Sequence, residues 1–411
     1  MKQENEQLKN LFQQEFAKMV AVISRSFGLE HIALAEDLVS DTFLKAIETW
    51  GKRGMPENPT AWLYAVAKQK TLYHLRRNKL FKTKVEAAVA ETAAPYLMAR
   101  EPDFSTQNIK DSQLAMIFAI CTPLIASEAQ VGLALRILCG FSIDEIGEAF
   151  FTGKETINKR LYRAKEKLRA EKVTMELPSE KEIPARLDRV LHVVYLLFSE
   201  GYYSRTHHEI LRKDLCLEGL RLGLLLTENR KTDAPKTNAL VALMCFHASR
   251  FGARQTVDDY FVPYHEQNGK LWNTELINRG VHFLNRAMRG DEMSSYHFEA
   301  QIAYWHCQQD NTPAKWESIL QLYDQLLLIN YSPAVALNRI FARYKVHGWQ
   351  TALAEAENLR LENNHFYYIL LGELYSHTDT GKARASFQQA CKLAKTQTEK
   401  KHIRKKMATL R

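Results

Sequence analysis

Apolar residues recur three and four positions apart through most of this chain, and strict alternation bounded by turns is almost absent. The pattern predicts an all-α protein. Residues 8–50 read as two helices, one carrying Leu8, Leu11, Phe12, Phe16, Met19, Val20 and Ile23, the next Ile32, Ala35, Leu38, Val39, Phe43 and Ile47. The stretch GKRGMPENP (51–59) interrupts them as a loop, because its Gly and Pro residues break helix. Thr60 is placed to cap the helix that follows, TAWLYAVAKQKTLYHLRRNK. Residues 85–108 are weakly patterned and read as a linker. Helices resume near 110 and run to about 172, ELPSEKEIP (176–184) is a second junction, and beyond it the chain reads as helix after helix.

Residues 127–169 carry three capping-box spacings, Ser127/Gln130, Ser142/Glu145 and Thr152/Glu155, with Gly140 placed to end the first of the helices. A short helix (IDEIGEAF), a tight turn and a long basic helix (KETINKRLYRAKEKLRA) are the pattern of a helix-turn-helix. In such a unit the first turns of the second helix enter the major groove. Lys154, Thr156, Asn158, Lys159 and Arg160 are then placed to reach DNA. Arg163, Lys165 and Lys167 sit further along, where cations hold phosphates and position the protein without reading sequence. Ile157, Leu161 and Leu168 keep an apolar stripe for the core. The plainer alternative is a three-helix bundle with a basic surface helix.

Composition adds little until it is resolved along the chain. The 411 residues carry a formal net charge of +9. Residues 52–84 are strongly basic, as are 154–172 and the last 31, whereas 1–51 and 85–153 are acidic. Two of the three basic blocks coincide with other signals; the terminal one does not. The six cysteines are scattered without a CxxC pair, which argues against a disulfide framework or a zinc site and for reduced, buried thiols. HExxH, an EF-hand loop and a GxxxxGK[ST] loop are all missing, so no catalytic residue, metal or cofactor is assigned. His192, His247 and His306 lie in apolar helical stretches and read as core or groove residues. No apolar run reaches the length of a membrane span, and the N-terminus is polar, so a cytoplasmic location is expected.

Residues 59–77, PTAWLYAVAKQKTLYHLRR, interleave Trp62, Tyr64 and Tyr73 with Lys68, Lys70, His74, Arg76 and Arg77. Aromatics among cations suit stacking on unpaired bases while the backbone is held; the plainer role for Trp62 and Tyr64 is to fill core. AEDLVSDTF, then ENPTAWLYAVAKQKTLYHLRR, a linker, and a helix-turn-helix ending in INKRLYRAKEKLR together resemble a bacterial extracytoplasmic-function sigma factor of the sigma-70 family, over residues 8–172. The chain has Lys68-Gln69 and Tyr73 where such proteins often have an Arg-Asn pair and an Asp. The resemblance implies that Glu36, Asp37, Leu38, Asp41 and Phe43 dock on the β′ clamp of core RNA polymerase. It implies that Lys52, Arg53, Asn58, Trp62, Lys68, Lys70, His74, Arg76 and Arg77 capture and open the −10 element, and that the helix-turn-helix contacts the β flap and reads the −35 element. The linker would thread toward the polymerase active centre.

About 240 residues remain. The stretches 187–226 and 271–284 resemble the helical extension of a subset of these sigma factors that ends in tetratricopeptide-like pairs. An internal comparison points the same way. At an offset of 31, Leu337, Ile340, Tyr344, Ala352, Ala356 and Leu359 map onto Tyr368, Leu371, Tyr375, Ala383, Phe387 and Ala390. The expected organisation is a first sigma domain at 1–84, a linker at 85–110, a helix-turn-helix domain at 111–175, and a helical extension at 181–411, tetratricopeptide-like from about 295. The extension would regulate the sigma module in cis or dock a protein or peptide partner. The alternative is a stand-alone helix-turn-helix regulator with a peptide-sensing array, which would have no use for the 35–46 and 59–77 blocks.

Overall fold

In the computed structural model, which describes residues 2–86, 101–150, 152–202, 212–254, 262, 264–394 and 397–410, the described residues are helical throughout and no strand occurs among them. The chain divides into two compact units, 1–197 and 198–411. The middle of the expected linker, 87–100, lies outside the described residues.

The first unit opens with α1 (Lys2–Phe27) and α2 (Ile32–Arg53), joined through a 3-10 turn at Leu29–His31. Most of their expected stripes close on each other: Phe16, Met19, Val20 and Ile23 of α1 and Ile32, Ala35, Leu38, Val39 and Phe43 of α2 are all buried. The Phe12 ring sits 4.7 Å from that of Phe16 and 4.9 Å, edge-on, from that of Phe43. Ile47 leaves the stripe and is exposed. Helix α2 runs to Arg53, so the loop is shorter than expected, and Asn58, not Thr60, caps α3 (Pro59–Glu86) by accepting from the Ala61 N–H at 3.0 Å.

Helix α4 (Thr106–Ile120) is buried almost all round, packs on α1 and is capped by Ser105. Helix α5 (Ser127–Leu133) passes into a π-helical turn, Ala134–Leu138, and ends at Gly140 with φ +74°, the left-handed conformation expected there. Then come α6 (Ile143–Ala149) and α7 (Lys154–Ala170). Of the three expected capping boxes only Ser142/Glu145 forms. Ser127 lies inside its helix after Ala126, and Gln130 instead donates to the carbonyls of Thr122 and Ile125. Gly153 occupies the cap position of α7, while the Thr152 hydroxyl turns to the Phe150 carbonyl.

Helix α8 (Ile183–Tyr202) straddles the boundary between the units. In the second unit α9 (Lys213–Thr227) and α12 (Thr274–Ala287) flank α10 (Pro235–Ser249), which is buried on nearly every side, and α11 (Phe251–Arg254) follows α10 directly. Next come α13 (Ser295–Cys307), α14 (Pro313–Ile329), α15 (Pro333–His347), α16 (Trp349–Leu359), α17 (His365–Tyr375), α18 (Thr380–Leu393) and α19 (Gln397–Ala408). Helix α13 packs most heavily on α10, and α14 to α19 pack chiefly on their sequence neighbours. Small residues at the crossings, Ala352, Ala356, Ala383 and Ala390, are fully buried. Gly372 lets the Phe387 ring approach so closely that a Cβ would stand 2.7 Å from it.

Candidate nucleic-acid interface

The helix-turn-helix is set by local chemistry. Ser142 accepts from the Glu145 N–H at 3.2 Å, and the Glu145 carboxylate accepts from the Ser142 N–H at 2.8 Å, which starts α6. The turn closes through the Thr152 N–H on the Gly147 carbonyl at 2.8 Å. A Cβ at Gly147 would meet the Thr152 carbonyl oxygen at 2.8 Å, so this turn needs glycine. Helix α7 buries Ile157, Leu161, Ala164 and Leu168. Its opposite face presents Lys154, Thr156, Asn158, Lys159, Arg163 and Lys167, with Arg160 half-buried and Tyr162 67% exposed. Nothing in the sequence singles out Tyr162. Lys154 pairs with Asp144 at 2.8 Å. Lys165 does not reach outward: its ammonium donates to Glu36.

Helix α3 carries the second basic block. Leu63, Ala67 and Thr71 are buried, and Trp62 is half-buried against Trp50, ring centroids 5.3 Å apart. Lys52, Arg53, Arg76 and Arg77 are exposed. Lys70 donates to the Asp41 carbonyl at 3.1 Å, and His74 touches Tyr73, which is 63% exposed. Asn58 is committed to its cap. Tyr64 donates to Glu15, and burial together with that bond pushes its phenol pKa up. Its ring stacks on Phe104 at 4.8 Å, and Lys68 pairs with Glu101 at 2.9 Å. A pocket of about 310 Å³ is lined by Tyr64, Ala65, Lys68 and residues 101–104. Glu15, Glu101 and Phe104 are distant in sequence from the basic helix, and no local pattern ties them to it.

On α2 the structure separates the five residues assigned to polymerase docking. Asp37 and Asp41 are exposed, whereas Leu38 and Phe43 are core residues at 3% and 4% exposure. Glu36 is buried as well. The exposed apolar residues beside Asp37 and Asp41 are Leu44 and Ile47, at 57% and 52%. No cluster of metal-ligating side chains occurs among the described residues, and no described helix is long and apolar enough to cross a membrane.

Residues 12–81, from within α1 into the basic helix α3, match the sigma-70 region 2 family. The chain belongs to the sigma-70 family. Residues 186–288 of this sigma-70 protein match a family of unknown function, DUF6596. The chain is also 30% identical over 382 residues to the uncharacterized protein R00370 of Rhizobium meliloti (strain 1021), spanning 91% of this chain and 89% of that one, so the two belong together over nearly their full length. No solved structure matches. Membership of the sigma-70 family gives this protein its role, transcription initiation with core RNA polymerase on promoter DNA, a role that is not enzymatic.

Proposed function

We propose that this sigma-70 protein is an extracytoplasmic-function type factor in which α2 docks on the polymerase β′ clamp, α3 captures and opens the −10 element, and α7 reads the −35 element while its module meets the β flap. The observation that carries the reading is the pairing, in one compact unit, of a region 2 fold with a helix-turn-helix whose outward face is polar and cationic. For docking, Asp37, Asp41, Leu44 and Ile47 form the mixed acidic and apolar surface of α2, and Leu38 and Phe43 shape it from beneath. On α3, Lys68, Lys70, His74, Arg76 and Arg77 supply charge for a displaced strand, and Tyr64 and Trp62 supply faces for unstacked bases. On α7, Thr156 and Asn158 read base edges while Arg163 and Lys167 hold phosphates.

The helical pairs of α13–α18 are the tetratricopeptide-like part of the extension. Their nearest-neighbour packing leaves Leu328, Ile329, Tyr331 and Phe366 exposed, which suits docking of a peptide or protein segment that regulates the sigma module. The test is reconstitution: the full chain added to core polymerase should be retained in a pull-down and should start run-off transcription from a specific promoter. A chain that neither binds core nor initiates would overturn the reading.

A further inference from the structure

Glu36 lies on α2 beside exposed Asp37, yet it is itself only 6% exposed. A buried carboxylate is costly unless its oxygens are paired and hydrogen-bonded. Both are. Oε1 accepts from Nε of Arg136 at 2.9 Å, and Oε2 accepts from Nζ of Lys165. The two cations come from the π-helical turn and from α7, 100 and 129 positions further along the chain. Arg136 is itself fixed, donating through Nη1 to the Phe141 carbonyl at 3.1 Å and lying over the Phe16 ring at 5.4 Å. Arg25 on α1 also donates to Asn108 of α4 at 3.0 Å, beside the apolar packing of α4 and the π-helical turn on α1.

We propose that Glu36, Arg136 and Lys165 form a latch that holds the helix-turn-helix module closed on the N-terminal helices in the free protein, withholding from partners the groups each module would offer them. What the latch withholds rests on the sigma-factor reading above; the latch itself rests on geometry. Closure consumes a carboxylate of the candidate clamp-docking helix and a cation of the candidate DNA-reading helix in one interaction. A second place repeats the logic. On α3 the Glu101 carboxylate takes Lys68 where a phosphate would sit, and the Phe104 ring stacks on Tyr64 at an interplanar angle of 17°, where an unstacked base would lie. Both sites are satisfied from within the chain.

Opening separates Glu36 from both cations, so closed and open forms are discrete alternatives and not a continuum. A polymerase that binds only the open form is bound more weakly by the factor of the open fraction. Release by either partner favours binding of the other, because coupling through one equilibrium is reciprocal.

The test uses Arg136→Gln in the full chain. Arg136 is outside the proposed DNA and polymerase contacts, and the variant leaves Glu36 and Lys165 in place. Spin labels at exposed Lys45 and Glu155, in a chain carrying Cys391→Ser, report the distance between the modules. Arg136→Gln should shift that distance distribution to longer values and tighten the Kd for core polymerase about three- to tenfold, and Arg136→Lys should keep the closed distribution. Lys165→Gln, read by distance alone, should open the chain in the same sense and guards against a folding defect peculiar to Arg136. An unchanged distribution in both neutral variants, or an equal shift in Arg136→Lys, would overturn the latch. A chain that opens on Arg136→Gln but never binds core would refute the sigma reading and keep the latch. Core binding by a chain whose distances ignore all three variants would refute the latch alone.

Discussion

Three desolvated histidines in the second unit set the sign of its response to acid. Burial is the main cause for each: it drives His306 down to about 3, helped by Arg250 and Lys315, lowers His247 well below its ordinary value, and lowers His297. His297 accepts from the Ser294 N–H at 3.0 Å and lies 3.1 Å from the Ala287 carbonyl, tying α12 to α13. The unfolded chain therefore takes up more protons than the folded one below about pH 6.5, and stability falls as pH drops from there toward about 3. Each such histidine costs about 1.4 kcal/mol per pH unit within its window. Chemical denaturation at pH 7.5 and 5.5 should show a loss of roughly 1–4 kcal/mol, with about 1 kcal/mol of it removed by His306→Gln. The thiols behave alike: Cys216 and Cys245 are pushed up to about 12 by burial, Cys121 and Cys307 also rise, and Cys139 is buried. An aromatic disulfide reagent should titrate Cys391 rapidly and the other five only on unfolding. Buried thiols are legible from their apolar neighbours. His192 is misleading, because it sits in an apolar stretch yet faces solvent, and helical phase rather than composition decides that.

Helix α7 is the element in which a local pattern carries furthest. Its buried stripe and its polar face lie where 3.6-residue periodicity puts them. Neutralising Arg163 or Lys167 should weaken promoter binding alike for all sequences and lower the salt slope by about one for each phosphate no longer neutralised. Changing Thr156 or Asn158 should alter −35 preference with the slope intact, and titrations at several salt concentrations separate the two. The turn before α7 is equally specific: Gly147→Ala forces a methyl against the Thr152 carbonyl and should cost about 1–3 kcal/mol, read as a lower melting temperature together with weaker DNA binding. Capping boxes are less legible than the helices they begin. Spacing alone suggests three, but Gln130 is drawn away to two loop carbonyls and Gly153 displaces Thr152, so one survives. The π-helical turn at 134–138 has no periodic signature at all, yet it places Arg136 on Glu36.

At the scale of the whole molecule, a net charge of +9 conceals how acids and bases are distributed in space. The acidic stretches fold back on the basic ones: Asp41 pairs with Lys70, Glu101 with Lys68, and Asp144 with Lys154. The linear charge profile locates the basic blocks, but only the fold reveals which acids occupy them. The first compact unit runs through the junction at 176–184 to Leu197. Packing ties the start of α8 to it. Arg186 donates to the Phe118 carbonyl at 2.6 Å and lies 5.9 Å from its ring centroid, and Ile183, Leu187 and Val190 are buried. A fragment ending at 180 strips that cover from α4, while one ending at 197 keeps it. The 1–180 fragment should therefore be less stable than 1–197 by about 1–3 kcal/mol, measured by urea unfolding. All candidate DNA and polymerase groups lie between Glu36 and Lys167, so 1–197 should still support promoter-specific run-off transcription with core polymerase. The ratio of its activity to that of the full chain then gives the sign of regulation by 198–411. A folded 1–197 that cannot initiate would place an essential contact in the helical extension and would recast that extension as part of the initiation machinery.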